Sequence, residues 1–565
     1  MKIVLVFSPF VVPSYIPLGI AQIKSYIEKQ LPGVKIFNLD LNNHFFDNLT
    51  KKNFLEKFIN LCAICLKKCK IKKNEKDDFL NHGKIFAISV DCLKDKKAGM
   101  FYDISKYNYL ISKITSFLYK RGYCINSIAT EIIQDGLPIA SGFENLFDGD
   151  FKMISGVNPD FVGFSVFCSE QLAYSLILAK IIKEKLNLPV IFGGAFMSHL
   201  DIKEFLGLFN FVDFVINKEG EIGIVEFAKN FLKKTFDIVP GLYYRQAGKI
   251  LFNKGKFIEN LDCLPPPDFS GFKLERYLLP FPVLPVSFSR GCFWKRCTFC
   301  TYYKHYPVSY KTKSIKKFIA EIRYYNSKGI SHFFIDDDVI SALDLNAIST
   351  ALNKNKIKIF FGAIVRPEGD FSRKILKNIY SAGGRVLIWG VESSCRRILD
   401  LMRKGTRIEY IKTILKHSHE NGFYNHVFMI QGFPTQTEEE IYKDIKFLQE
   451  NRDFIHSFVI HVFKLMRGSY IFYNFKKFKI NSIKALPLYT CKKNKTTIHS
   501  EQFTFEPGIK LDWKRIEVKE AKMFKRFKNV SINPGTIIFS YQQYKPVEHS
   551  HILLHTSRNQ SLKAG

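Results

Sequence analysis

No stretch of this 565-residue chain is long and apolar enough to span a bilayer, so no membrane partner is expected. Met1–Ile23 is apolar, but Pro9, Pro13 and Pro17 interrupt it, and no small-residue cleavage site follows a clean apolar core. A secretory leader is therefore not expected; the pattern reads as a buried strand, a loop and a helix start. A disulfide framework is missing as well. The twelve cysteines are unevenly placed in a long chain without secretory character, which points to reduced thiols and a cytoplasmic location. Acidic residues are scarce, 52 against 84 basic ones, giving a formal net charge of +32 and pI ≈ 9.5. Such charge attracts nucleic acid or acidic peptides in general. Here no nucleic-acid motif accompanies it, the lysines are scattered, and Lys, Ile, Asn and Phe are enriched together, as AT-rich coding produces. Compositional bias is the favoured reading, and nucleic acid an unfavoured partner.

What is present is an alternating pattern. The length suggests about three or four domains. Lys2–Phe7 (KIVLVF) is a continuous apolar run, as in a strand buried on both faces; a helical pattern and a second strand, Val34–Leu41, follow. From about 42 to 156 the chain reads as a mostly helical insertion. Cys62, Cys65 and Cys69 fall on one helical face there; an apolar stripe is favoured over a metal cluster. Strands return at Asp160–Val166, Pro189–Gly193 and Phe211–Ile216, separated by helices and glycine turns. This is a doubly wound parallel sheet, with a ligand expected at the strands' carboxyl ends. Residues 241–282 read as a connector with a hairpin-like segment (Leu242–Phe252) and the run Leu264-Pro-Pro-Pro-Asp268.

From Val283 strands and helices alternate again. Strands are expected at Val283–Phe288, His332–Ile335, Ile357–Val365, Arg385–Val391, Tyr424–Ile430 and Phe458–Leu465, with five connecting helices. This predicts a partial (β/α)6 barrel over 283–466, its site at the strands' carboxyl ends. Residues 467–565 form a smaller α+β extension in which periodicity fades; Asp512–Phe527 reads as one basic helix and the last residues as a frayed tail.

The unusual residues lie at those strand ends. Cys292, Cys297 and Cys300 fall within nine residues just after the first barrel strand. A structural zinc site is normally closed by a fourth Cys or His, with His305 the available candidate. Three thiolates on an iron–sulfur cluster would instead leave one iron open, and this is the favoured reading. Asp336-Asp337-Asp338, Arg366, Glu392-Ser393 and Gly432-Phe-Pro434 end the next four strands. A helix cap, solvated acids or surface ion pairs would be the structural explanation of any one of them.

In this order the residues resemble the radical S-adenosylmethionine (SAM) enzymes, over about Val283 to Leu465. The family's usual CxxxCxxC appears here as CxxxxCxxC, similar to a loop of cobalamin-associated members, with Phe299 the aromatic before the last cysteine. The resemblance implies a [4Fe-4S] cluster on Cys292, Cys297 and Cys300 and SAM on its open iron. It also implies Asp336 or Asp337 at the methionine amine, Arg366 (or Arg396 or Arg397) at the carboxylate, Glu392 with Ser393 at the ribose, and Gly432 with Pro434 beside the adenine. Reduction would cleave SAM to a 5′-deoxyadenosyl radical.

The amino-terminal half, 1–240, resembles the flavodoxin-like cobalamin (B12)-binding domain that precedes many of these enzymes. Ser165, Gly193, Gly194 and Glu219 are the residues this resemblance places at cobalamin. The cobalt-ligating Asp-x-His-x-x-Gly pattern is absent, so cobalamin would bind without that histidine or has been lost. The implied function is cobalamin-dependent methyl transfer or another radical modification of a peptide or small-molecule substrate, with a reductant such as flavodoxin or ferredoxin. The alternatives are a cyclase or thioether-forming enzyme without functional cobalamin, and a basic RNA-modifying protein. No catalytic residue is singled out.

Overall fold

A computed structural model describes residues 1–49, 51, 53–54, 141–279, 281–301, 310–490 and 497–516, with isolated positions at 85, 88–90, 92, 110 and 519. Cys62, Cys65, Cys69 and His305 lie outside these residues, as does the chain beyond 519. Two compact units are formed. The first comprises Met1–Glu259, Cys263–Leu278 and Pro487–Ser500; the second comprises Asn260–Asp262, Leu279–Leu486 and Glu501–Gly565. Among the described residues no helix is long and apolar enough to cross a membrane.

In the first unit β1 (Lys2–Phe7), β2 (Lys35–Asp40), β3 (Phe161–Ser165), β4 (Val190–Gly193) and β5 (Phe214–Ile216) are parallel, in the order β2-β1-β3-β4-β5. This is the flavodoxin-like order, whose direction of winding reverses between β1 and β3. β6 (Leu242–Gln246) and β7 (Lys249–Phe252) then add an antiparallel hairpin to the β5 edge. The hairpin that the sequence assigns to a connector is thus part of the sheet: Tyr244 is buried, and Tyr243 stacks on Phe252 at 4.2 Å. Above β1 the core is aromatic. Phe10 meets Phe45 edge-on at 5.2 Å, and Phe147 lies 4.5 Å from Tyr174. Such pairs contribute about 0.5–1.5 kcal/mol beyond area burial. That packing helps hold Phe10 at φ 84, a conformation a bulky residue rarely adopts.

In the second unit β8 (Val283–Val286) leads through the short β9 (Ser289–Arg290), paired antiparallel with β10 (Lys311–Thr312), to the cysteine loop between them. β11 (His332–Ile340), β12 (Phe360–Val365), β13 (Gly384–Glu392), β14 (Tyr424–Gln431) and β15 (Ser457–Val462) join β8 in one parallel sheet, ordered as in the chain. β8 and β15 are its two open edges, so the barrel is partial. Four of the intervening helices start at a side-chain cap. Ser314, Ser341, Ser372 and Thr437 each accept a hydrogen bond from a first-turn amide, and Thr437 with Glu440 forms a full capping box. Each cap is worth about 1 kcal/mol.

Two differences from the sequence reading bear on the site. β11 runs five residues past the expected Ile335, so the three aspartates sit within a strand instead of after it. In the extension β16 (Leu465–Met466), β17 (Ile480–Thr490) and β18 (Thr497–Pro507) form a three-stranded sheet, where the Lys- and Thr-rich sequence showed no periodicity.

Candidate functional site

The cysteine loop is built as a cap on a helix end. The helix Arg396–Leu401 finishes with carbonyls that need donors. Thr298 Oγ1 donates to Leu401 O at 2.9 Å, Thr298 N to Met402 O at 2.9 Å, and Trp294 Nε1 to Arg403 O at 2.9 Å. The next carbonyl, Lys404 O, accepts from Arg366 Nη2. Four successive carbonyls are therefore taken by the cysteine loop and one strand-end arginine.

The extra residue between Cys292 and Cys297 now has a place. Lys295 turns through φ 53, and Trp294 before it folds inward, with the Arg366 guanidinium 3.7 Å from its ring centroid. The ring lies over Gly405 (φ 71), where any Cβ would collide with it. A cation over indole adds about 0.5–2 kcal/mol, depending on desolvation.

The side chains of Cys292, Cys297 and Cys300 are half-buried. Burial pushes the Cys297 thiol up, while the Lys404 and Arg366 charges pull it back toward thiolate. Among the described residues no three His, Cys, Asp or Glu form a group that could hold one metal ion. A mononuclear zinc site would draw its ligands to about 2.0–2.3 Å from a single ion. In a polynuclear centre each thiolate would bind its own iron; His305, the candidate fourth ligand of a zinc site, lies outside the described residues.

Glu392 ends β13 in a left-handed conformation, φ 70. Its Oε1 accepts from Lys404 Nζ at 2.8 Å, the two side chains being 12% and 9% exposed. Burial alone would lower Lys404, but Glu392 and Cys297 raise it and the net direction is up, so the ammonium stays charged. Breaking so enclosed a pair from one side costs about 3–5 kcal/mol.

The other expected residues divide into two groups. Asp336 is half-buried on the same face of β11 as Asp338, while Asp337 points the other way. Asp337 accepts from Phe288 N (2.9 Å), Ser289 N (2.8 Å) and Ser289 Oγ (2.7 Å), fixing the β8–β9 corner ahead of the cysteine loop. Burial raises its carboxyl to about 7. Of the two aspartates considered for an ammonium, the structure commits Asp337 to its own backbone. Arg366 is likewise engaged, by Glu368, by Lys404 O and by the Trp294 ring. Ser393 is buried and donates to Asp444 Oδ1 at 3.0 Å while accepting from Cys395 N at 3.1 Å, a scaffold role. Arg397 pairs with Glu440 at 2.5 Å, and Arg396 is an exposed partner of Asp400. Phe299 packs on the core cluster around Cys395, Ile430 and Phe433. Gly432 (φ 72) does admit a flat ring, and the ring there is the chain's own: Trp513 carbons lie 2.9 and 3.0 Å from where a Cβ would stand. Pro434 is buried beside it.

In the first unit Ser165 and Gly193 are register partners at the ends of β3 and β4, and Gly194 (φ 97) follows them. A Cβ on Gly194 would lie 2.5 Å from Val166 O. Glu219 follows β5, and its Oε2 accepts from Ile258 N at 2.8 Å. All four thus lie at or just beyond the carboxyl ends of three adjacent strands. Across the β1–β3 crevice Tyr15 stacks on Phe167 at 4.9 Å.

Sequence reasoning assigned no role to Trp294, Lys404 or Asp444. The position of Trp294 between two cysteines, and Lys404-Gly405 just past a helix, were the signals available.

Comparison with known proteins finds likeness over part of the chain. Residues 286–448 match the model of the radical SAM superfamily. An uncharacterized methyltransferase of Pyrococcus horikoshii is 28% identical over 312 residues, 53% of this chain and 66% of its own. The hopanoid C-3 methylase of Methylococcus capsulatus is 28% identical over 261 residues, 44% of this chain and 48% of its own. The chain thus spans one half to two thirds of these relatives. The fold is similar to that of a radical SAM methyltransferase from Kitasatospora setae, TsrM, solved with cobalamin and a [4Fe-4S] cluster bound: TM-score 0.58, 12% identity, 99% of both chains covered.

Proposed function

We propose that this chain, which carries a radical SAM domain, cleaves one SAM reductively and transfers to a small-molecule or peptide substrate a methyl group taken from a second SAM by way of cobalamin. The observation that carries the proposal is the single knot of contacts joining the three-cysteine loop to the strand-end ionisable groups. Thr298 and Trp294 of the loop hold Leu401–Arg403, and the next residue, Lys404, holds Glu392.

In this reading Cys292, Cys297 and Cys300 would hold a [4Fe-4S] cluster, which would supply the electron for reductive cleavage of SAM. The chain's own part is binding and orientation. Asp336 accepts from the methionine ammonium, and Glu392 accepts from the ribose hydroxyls, a carboxylate being an acceptor only. Arg366 neutralises negative charge beside the thiolates, held in place by Trp294 and Glu368. The Gly432–Pro434 turn, with Trp513 covering Gly432 on one side, borders the adenine. Ser165, Gly193 and Gly194 are the residues that would hold cobalamin, with Glu219 shaping the β5 end through Ile258. Support for this pairing of cofactors comes from the Kitasatospora protein of similar fold, solved both with cobalamin and the cluster and with its tryptophan substrate and a SAM analogue. Reducing equivalents come from a flavodoxin or ferredoxin.

The test is anaerobic reconstitution followed by dithionite reduction. The wild-type protein is expected to form 5′-deoxyadenosine and to retain a corrinoid spectrum. Cys297→Ala is expected to lose the cluster absorbance and to lower 5′-deoxyadenosine formation by at least about 1,000-fold, since the cofactor carries the chemistry. A Cys297→Ala protein working at the native rate would falsify the proposal.

A second reading, ring or thioether formation without cobalamin, draws on one feature. No histidine lies between β1 and the helix beginning at Leu18, and the Tyr15–Phe167 stack spans that crevice. A reconstituted protein that makes 5′-deoxyadenosine yet retains no corrinoid would favour it.

A further inference from the structure

Glu392 combines two features that need explanation together. Its backbone sits at φ 70, a region that disfavours a residue with a Cβ and persists only where neighbours enforce it. Its carboxylate is largely enclosed and, among the described residues, meets one ammonium, Lys404 Nζ, at 2.8 Å. Gly390 makes room for that pair, because a Cβ there would lie 2.9 Å from both Glu392 Oε1 and Lys404 Nζ.

Lys404 is in turn held at its backbone. Arg403 (φ 51) and Gly405 (φ 71) flank it in left-handed conformations, and its carbonyl accepts from Arg366. The preceding carbonyls, Leu401 to Arg403, are fixed by Thr298 and Trp294 of the cysteine loop. The ammonium is therefore anchored from below by its own main chain and aimed at one carboxylate oxygen. A carboxylate offers about four acceptor directions over two oxygens. Engaging one oxygen with a fixed cation orients the other acceptor directions in space.

We propose that Lys404 is a positioning residue, which holds the Glu392 carboxylate in the orientation that reads the two adjacent hydroxyls of the SAM ribose. This rests on the SAM site proposed above and goes beyond it by assigning ribose recognition to a pair. Glu392 touches the ligand, and Lys404 acts through Glu392. It also gives the Arg403–Gly405 segment a purpose, since one turn of chain sets the cysteine loop and the ribose acceptor together.

The experiment compares binding of SAM and of its 2′-deoxy analogue to the anaerobically reconstituted protein by equilibrium dialysis. Wild type is expected to prefer SAM by about tenfold, the worth of one charge-assisted hydrogen bond. In Lys404→Met the preference is expected to fall to near unity, with SAM bound about tenfold more weakly. Lys404→Arg recovers part of the preference, and Glu392→Gln loses it as Lys404→Met does. Iron content and far-UV circular dichroism report the folding of each variant, and Lys404→Gln, which keeps a donor but no charge, is read by the same ratio if Lys404→Met does not hold its iron. A Lys404 variant that binds both ligands more weakly but keeps the wild-type ratio has lost only packing, and the inference is overturned. A wild-type protein that binds and cleaves SAM without preference over the 2′-deoxy analogue overturns the inference and leaves the SAM site standing; one that binds neither ligand overturns both.

Discussion

At the carboxyl ends of the first sheet the expected ligand-facing positions are Ser165, Gly193 and Gly194, small residues whose backbones make the shape. At the corresponding ends of the second sheet they are Asp336, Arg366 and Glu392, ionisable side chains tied to neighbours or to main-chain carbonyls. One end is shaped by what is left out, since a methyl on Gly194 would lie 2.5 Å from Val166 O. The other is shaped by charges that must be matched, Glu392 by Lys404 and Arg366 by Glu368. A space-built end is broken by adding atoms; a charge-built end is broken by removing them. The second end also contains one space-built joint, Gly405 under Trp294, and that joint connects its charges to the cysteine loop.

The comparison can be broken most severely at Gly405. Gly405→Ala drives a Cβ into the Trp294 ring at φ 71. A cost of about 3 kcal/mol is expected in denaturant unfolding, from strain and overpacking together. Most of the iron should be lost on reconstitution. Full iron content in that variant would mean that the cysteine loop does not depend on the joint.

At Gly194 the effect is smaller. Gly194→Ala is expected to cost about 2 kcal/mol, because φ 97 and the Val166 backbone both oppose a Cβ. Corrinoid retention should fall while iron content holds. Unchanged corrinoid retention would mean that Gly194 shapes the strand end without serving the ligand.

A third effect is a dependence on pH. Burial raises Asp337 from 3.8 to about 7. The folded carboxyl keeps its proton where the unfolded chain has lost it, so stability falls as pH rises from 3.8 to about 7 and is level above that. Asp337→Asn, which cannot ionise, should flatten that slope in urea midpoints taken across the range. A slope as steep as wild type would assign the effect to other groups, such as Asp444, raised to about 6.

Much of this was legible in the residues. The continuous apolar run of β1 and the alternation of strand and helix from Val283 on marked two parallel sheets, because strands covered on both faces must be apolar throughout. The cysteine spacing and the strand-end motifs carried the family resemblance. The three aspartates were harder to separate. Asp336 and Asp337 read alike in sequence, and only the pleat of a strand continuing to Ile340 turns one toward its half-buried face and commits the other to Phe288 and Ser289. β17 and β18 were missed because their Lys- and Thr-rich stretch shows no period-two alternation to read.

Local order and residue type were enough for the two sheets, for the cysteine loop and for the strand ends on which ionisable residues fall. Those are properties of short stretches of chain, where periodicity and spacing act within a few residues. Which of these residues is spent on scaffolding depended on partners far away in sequence: Asp337 on Ser289, Ser393 on Asp444, Gly432 under Trp513. The gap between Cys292 and Cys297 belongs to that second kind. Its extra residue is accommodated because Trp294 finds Arg366 and Gly405, and no spacing rule could name those partners before the chain had folded.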